Sequence, residues 1–180
     1  KLVWAWLSLH RKRYALAGLL IGLGMSTKLL VWPLCLLLGV HRKWRALLIC
    51  LAVFLALNLL GGFFLGWGSL IDYFAEVPDQ VIPYYRSYAL NYSLSTLGWR
   101  FFEGTGSSLL NGIWAPPLIR APVLARSLSV ILPLMLFVGV SILIFRTQDL
   151  DVSVGILLCA SVLLSPVAWL HYFVLAVMPL

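Results

Sequence analysis

"GLGMSTKLLVWP", residues 22–33, sets a single lysine, Lys28, inside an apolar stretch that runs from Tyr14 to Val40. A lysine at the centre of a membrane-spanning helix costs about 2.5–3.5 kcal/mol on translocon-based scales, so such a residue usually faces a cavity or a partner. "HRKR" (residues 10–13) and "HRKWR" (residues 41–45) bound the stretch, and each holds three Lys or Arg. Basic clusters collect on the cytoplasmic side of a membrane, and one crossing cannot put both of them there. Split at Lys28, residues 14–27 and 29–40 would form helices only about 21 and 18 Å long, short for a full crossing. The stretch therefore reads as a hairpin of two short helices that enter and leave on one side. Gly22, Gly24, Ser26 and Thr27 supply the break, and non-helical backbone at depth is tolerated where protein or a wet cavity covers it. One long tilted helix is the alternative.

The rest of the chain has the composition this reading requires. It is 62% hydrophobic and 11% charged, with a mean hydropathy of +1.01, whereas a soluble domain is about half apolar and about a quarter charged. Three further charge-free stretches, residues 46–67, 127–145 and 152–170, are each near the roughly 20 residues that cross the hydrocarbon core. The expected fold is an all-α, polytopic transmembrane helix bundle. Residues 46–67 would run outward, 68–121 would form an extracytoplasmic segment, and 122–145 would return. "RTQDLD" (146–151) would make an inner turn, and 152–170 would cross outward again. Without repeats or a soluble second domain, residues 1–180 read as one membrane module. The chain opens on Lys1 and closes inside a short apolar run, 172–180, so the module is expected to be incomplete at both ends. No cleavage site follows the first basic and apolar residues, which argues against a secretory leader.

The formal charge of +7 gathers at the ends of apolar runs, a topology signal rather than a nucleic-acid footprint. Cys35, Cys50 and Cys159 lie in apolar segments without CxxC spacing and are expected to pack. There is no metal-ligand spacing, phosphate-binding glycine loop or serine nucleophile elbow, so neither metal nor cofactor is expected.

The outer segment is rich in aromatics that favour a membrane interface, Tyr73, Phe74, Tyr84, Tyr85, Tyr88, Trp99, Phe101, Phe102 and Trp114 among them. In "NYSLSTLGWRFFEG" (91–104), Leu94, Leu97 and Phe101 recur at i, i+3 and i+7, which predicts a short interfacial helix. Gly61-Gly62, Gly104-Thr105-Gly106 and Ala115-Pro116-Pro117 punctuate the loops, and Pro166 is expected to kink the end of its span.

Four groups carry candidate chemistry. The Lys28 ammonium would hold a lipid or sugar phosphate in a cavity; alternatively it caps the first short helix or snorkels to the surface. Asn91, Ser93 and Arg100 combine an amide, a hydroxyl and a guanidinium that suit sugar hydroxyls and phosphate; alternatively Asn91 is a helix cap and Arg100 meets lipid headgroups. In "SPVAWLHYF" (165–173), Trp169 and His171 follow a proline. His171 would donate to a phosphate oxygen or exchange a proton, or be merely interfacial. Asp72, Glu76 and Asp79 open the outer segment and are expected to be solvated loop charges.

Three stretches resemble glycosyltransferase family 87, the polyprenyl-phosphate-dependent alpha-mannosyltransferases of bacteria. "AGLLIGLGMSTKLLVWPLCLLLGVHRKWRA" is similar to the family's glycine-rich helix, lysine, apolar run and basic turn; "NYSLSTLGWR" to its Asn-x-Ser-Leu with a later arginine; and "SPVAWLHYF" to its Ser-Pro, Trp, His signature. The resemblance implies a multi-pass plasma-membrane enzyme of the GT-C type. Such an enzyme takes a sugar, commonly mannose, from a polyprenyl phosphate to a lipid-linked or glycan hydroxyl outside, without nucleic acid, nucleotide or metal. It implies Lys28, Asn91, Ser93, Arg100 and Trp169 as substrate-binding positions and His171 as a catalytic one. The family's essential aspartate would belong to a first outer loop ahead of this chain, and Tyr172 stands where a second histidine is common. A secondary transporter with broken helices, or a non-catalytic membrane scaffold, is the alternative. A transporter should show an internal repeat, and none is found.

Overall fold

The computed structural model describes residues 2–86, 88, 90–105, 115–147 and 149–174. Gly106, Trp114 and residues 175–180 of the last apolar run lie outside the described residues. The helices are α1 (Leu2–His10), α2 (Tyr14–Thr27), α3 (Leu34–Val40), α4 (Trp44–Leu65), α5 (Trp67–Ala75), α6 (Val77–Arg86), α7 (Leu97–Phe102), α8 (Pro122–Arg146) and α9 (Leu150–Leu164). Short 3-10 turns cover Leu29–Val31, Leu94–Thr96 and Leu170–Phe173. Among the described residues there is no strand, only an isolated antiparallel bridge between Thr105 and Ala115.

The break falls on Lys28, whose extended backbone (φ −156°, ψ 110°) ends α2. A helix end leaves carbonyls without partners. Here the Ser26 hydroxyl donates to the Gly22 carbonyl at 2.9 Å and Thr27 to the Gly24 carbonyl at 2.9 Å. Pro33 then precedes α3, where its missing N–H is no loss. α2 and α4 leave the basic end side by side and in the same direction. A Cβ at Gly18 would overlap the Ala46 carbonyl, and one at Gly22 would come within 2.5 Å of the Cys50 carbonyl oxygen. Such close backbone approach through small residues is how helices associate where lipid is as apolar as the side chains. α3 must therefore run back along the pair, touching both. Its Cys35 sulfur lies 3.1 Å from Met25 Sδ of α2 and 3.4 Å from Cys50 Sγ of α4. Both cysteines pack, as expected, while Cys159 is exposed.

The two basic turns meet at one end, where Lys43 Nζ lies 4.2 Å from the centre of the Tyr14 ring. The 146–151 turn joins them: Asp151 Oδ1 accepts from Trp6 Nε1 at 2.6 Å and pairs with His10 Nε2 at 2.6 Å. The break at Lys28 and the return of α3 to the basic end agree with the hairpin read from the sequence. α4 and α8 are long and apolar enough to cross a membrane. At 22 and 25 residues they measure about 33 and 38 Å. Phe63, Phe64, Leu65, Val123 and Phe145 along them are exposed, apolar surface that lipid would cover.

Two expectations need correction. The third crossing does not continue to residue 170, because α9 ends at Leu164 and Ser165 is extended (φ −64°, ψ 135°). Proline disfavours helical backbone in the residue before it, so Pro166 terminates the helix instead of kinking it. The 91–104 stretch is not one regular helix on a Leu94-Leu97-Phe101 face. A 3-10 turn at Leu94–Thr96 rotates the register ahead of α7, Phe101 is exposed, and buried Gly98 is the residue pressed on the Ala125 carbonyl of α8. α5 and α6 form the opening of the outer segment, with Asp72, Glu76 and Asp79 exposed on them.

Candidate active site

Lys28 caps α2 through its backbone N–H, which donates to the Gly24 carbonyl at 2.9 Å, while its side chain turns to an aromatic ring. Its ammonium lies 3.6 Å from the centre of the Tyr172 ring, and no carboxylate among the described residues pairs with it. Lys28 lines two clefts at once. One, of about 340 Å³, is bordered by Ser26, Thr27, Asn58, Ser69 and Tyr73; the other, of about 500 Å³, by Gly24, Thr27, Val31, His171 and Tyr172. Asn58 lies in α4 fourteen residues beyond Trp44, about 21 Å from the basic end. Lys28 therefore lies far from the basic end and is open to both clefts.

The second cluster is closed. Asn91 is fully buried, and its side chain uses its whole hydrogen-bonding capacity. Nδ2 donates to the Tyr85 carbonyl at 3.2 Å and the Pro166 carbonyl at 3.1 Å; Oδ1 accepts from the backbone N–H of Ser93 at 3.1 Å and of Ala168 at 2.8 Å. The Tyr92 N–H adds a bond to the Ala168 carbonyl at 2.8 Å. Asn91 thus clasps the extended residues after α9 to the start of the 91–102 segment. Ser93, 1% exposed, caps the 3-10 turn by accepting from the Ser95 N–H. Arg100 reaches back from α7 and donates from Nη2 to the carbonyls of Tyr88 and Asn91. Burial lowers its pKa from the ordinary value, and nearby Tyr92 opposes that shift.

The clasp leads directly to the open clefts. One residue beyond Ala168, the Trp169 ring stands edge-on to Tyr85 and Tyr88 at centroid distances of 5.2 and 5.4 Å. His171 and Tyr172 follow, their rings 4.5 Å apart, beneath Lys28. The structure therefore groups Lys28 with His171, and Asn91 with Ser93, Arg100 and the backbone beside Trp169. The 165–173 strap joins the two groups. Tyr172 was noted in the sequence only as a substitute for histidine. Asn58 was overlooked, although it is the lone amide in the otherwise apolar 46–67 stretch. A cation, an imidazole and several hydroxyls among apolar walls can hold a phosphate and orient a sugar. Among the described residues no carboxylate lines either cleft, and His171 is the one imidazole beside Lys28.

A family model described as glycosyltransferase family 87 matches residues 2–175. The chain belongs to glycosyltransferase family 87. The matched region holds every residue of both clusters, and this family 87 chain is therefore a glycosyltransferase with a sugar donor and an acceptor. No curated protein and no solved structure matches it.

Proposed function

We propose that this family 87 glycosyltransferase transfers a hexose, mannose in the first instance, from a polyprenyl phosphate to a lipid-linked or glycan hydroxyl. The site faces the outer side of the plasma membrane, in a helix bundle of the GT-C type. The observation that carries this reading is the Lys28 ammonium, held over Tyr172 beside His171 with no neutralising carboxylate among the described residues. A phosphate on a long apolar chain suits such a place, because charge and hydrocarbon are recognised side by side. The positive-inside rule supports the orientation, since the basic turns gather at the far end of the bundle.

In the proposed step, a carboxylate from outside residues 1–180 takes the proton of the acceptor hydroxyl. The acceptor oxygen attacks the anomeric carbon, a new C–O bond forms, and the bond to the phosphate oxygen breaks with its electron pair. Polyprenyl phosphate leaves with the charge it gains. Cations aimed at developing charge are worth most in a water-poor site, which assigns Lys28 and His171 to the leaving phosphate. Asn91, Ser93 and Arg100 act as positioning residues, because their polar groups hold the turn and strap that carry Trp169 and His171.

The test is transfer of labelled mannose from polyprenyl-phosphomannose by the full-length protein in purified membranes. Lys28→Ala should lower kcat by about 10²–10³ while insertion and folding persist. Absence of transfer from any polyprenyl-phosphate sugar by inserted, folded native protein would overturn the donor class.

A further inference from the structure

The two basic turns are built alike. Arg13 donates its backbone N–H to the Ser8 carbonyl at 2.8 Å, and Lys43 donates its own to the Leu38 carbonyl at 2.8 Å. The residue before each, Lys12 at φ 55° and Arg42 at φ 54°, adopts the left-handed conformation that glycine normally supplies at a helix end. A long cationic side chain at that position is conformationally costly, and the chain uses one twice. Between the turns runs a groove of about 810 Å³ lined by Lys12, Arg13, Arg42, Lys43 and Arg45, with Trp44 at its side. No carboxylate among the described residues lines it. α2 and α4 both begin there, so their unpaired N–H ends and dipoles add to the same positive field.

Five cations side by side repel one another unless an anion fills the space between them. The groove's surroundings say which kind of anion fits. Leu16 in its wall is 42% exposed, Trp44 is 59% exposed, and Leu48, one turn further along α4, is 66% exposed. The groove therefore opens onto an exposed apolar flank that acyl chains would cover, not only onto a polar surface. We infer that it is a binding site for an anionic phospholipid of the leaflet at this end of the bundle. The headgroup phosphate sits among Arg13, Arg42 and Arg45, and the chains follow Leu16 and Leu48. Such pockets between helix ends are a known means of headgroup recognition. The site is remote from Lys28 and does not depend on the transferase reading.

The experiment compares retention of phosphatidylglycerol and phosphatidylcholine by the full-length protein, using mixed-lipid nanodiscs and native mass spectrometry. It includes an arm with inorganic phosphate as competitor. The key variant is Arg13→Gln with Arg45→Gln, paired with Thr147→Lys and Gln148→Lys. The two lysines add the removed charges to the 146–151 connection, read from the sequence as an inner turn, and so keep the charge count that sets topology. Native protein should prefer phosphatidylglycerol, and the relocated-charge variant should lose roughly thirtyfold in that preference, about a factor of five for each cation. Undiminished preference in the variant would make the effect a property of the charged face and overturn the site. Equal retention of the two lipids by native protein would do the same. Displacement of phosphatidylglycerol by inorganic phosphate at comparable concentration would replace the lipid with a small anion and also overturn the proposal.

Discussion

The ammonium of Lys28 lies 3.6 Å from the centre of the Tyr172 ring. An aromatic face steadies a cation by about 0.5–2 kcal/mol without neutralising it, so the charge remains available to a phosphate. A carboxylate in that place would hold the lysine more tightly and compete with the ligand. Tyr172→Phe should therefore behave almost as the native enzyme. Tyr172→Leu should raise KM for the polyprenyl-phosphate donor by about threefold to thirtyfold. Steady-state kinetics with varied donor decide it: a Leu variant with unchanged KM and kcat would separate the ring contact from substrate binding.

Asn91 is a structural clasp, and its loss should show first as instability. Asn91→Ala removes four hydrogen bonds and strands buried partners, at about 1–3 kcal/mol for each group left unsatisfied. Asn91→Asp should be nearly as harmful, because a carboxylate has no N–H for the Tyr85 and Pro166 carbonyls. Ser93→Ala loses one cap and should cost about 1 kcal/mol. Thermal unfolding in detergent orders the three; a native-like Asn91→Ala protein would refute the clasp.

The hairpin was legible before the structure because three local signals agreed: paired basic clusters, half-length helices and small residues around Lys28. The clasp was not. Asn91 looks like a surface cap beside its near neighbours, and its deciding partners, Pro166 and Ala168, lie 75 and 77 residues away. No local pattern encodes such a contact. Pro166 shows the opposite difficulty. Its helix-breaking chemistry was plain, but only packing of the following strap could decide between a kinked span and an ended one. The spacing of Gly18 and Gly22, four residues apart, carried a readable packing signal that the search for a helix break obscured.

Close approach of α2 and α4 should make Gly18 intolerant of any side chain. Gly18→Ala places a methyl group on the Ala46 carbonyl and should destabilise by about 1–3 kcal/mol as the helices part. Gly139→Ala in α8, where a Cβ would meet nothing within 4 Å, is the matched control. It should be neutral or stabilising by up to about 1 kcal/mol through helix propensity alone. Equal unfolding midpoints for the two variants would rule out tight packing at Gly18.

Cys35 and Cys50 test the return of α3. With Cys159→Ser, mild oxidation should join them, because their sulfurs already lie 3.4 Å apart on neighbouring helices. Intact mass spectrometry should find loss of two hydrogens and protection of both thiols from alkylation. A single tilted helix through residues 14–40 would hold Cys35 away from that bond, and persistently alkylatable thiols would favour it.

Between α7 and α8, the Thr105 N–H donates to the Ala115 carbonyl at 3.0 Å, and the Ala115 N–H donates to Thr105 Oγ1 at 2.7 Å. Bonds from Leu118 and Ala121 to the Phe101 and Phe102 carbonyls continue the stem. The two stretches of chain are thus tied to each other at Thr105 and Ala115, independently of what lies beyond. That makes the stem a natural graft point: a small epitope or fluorophore attached beyond it would report, in intact cells, which compartment the proposed chemistry faces.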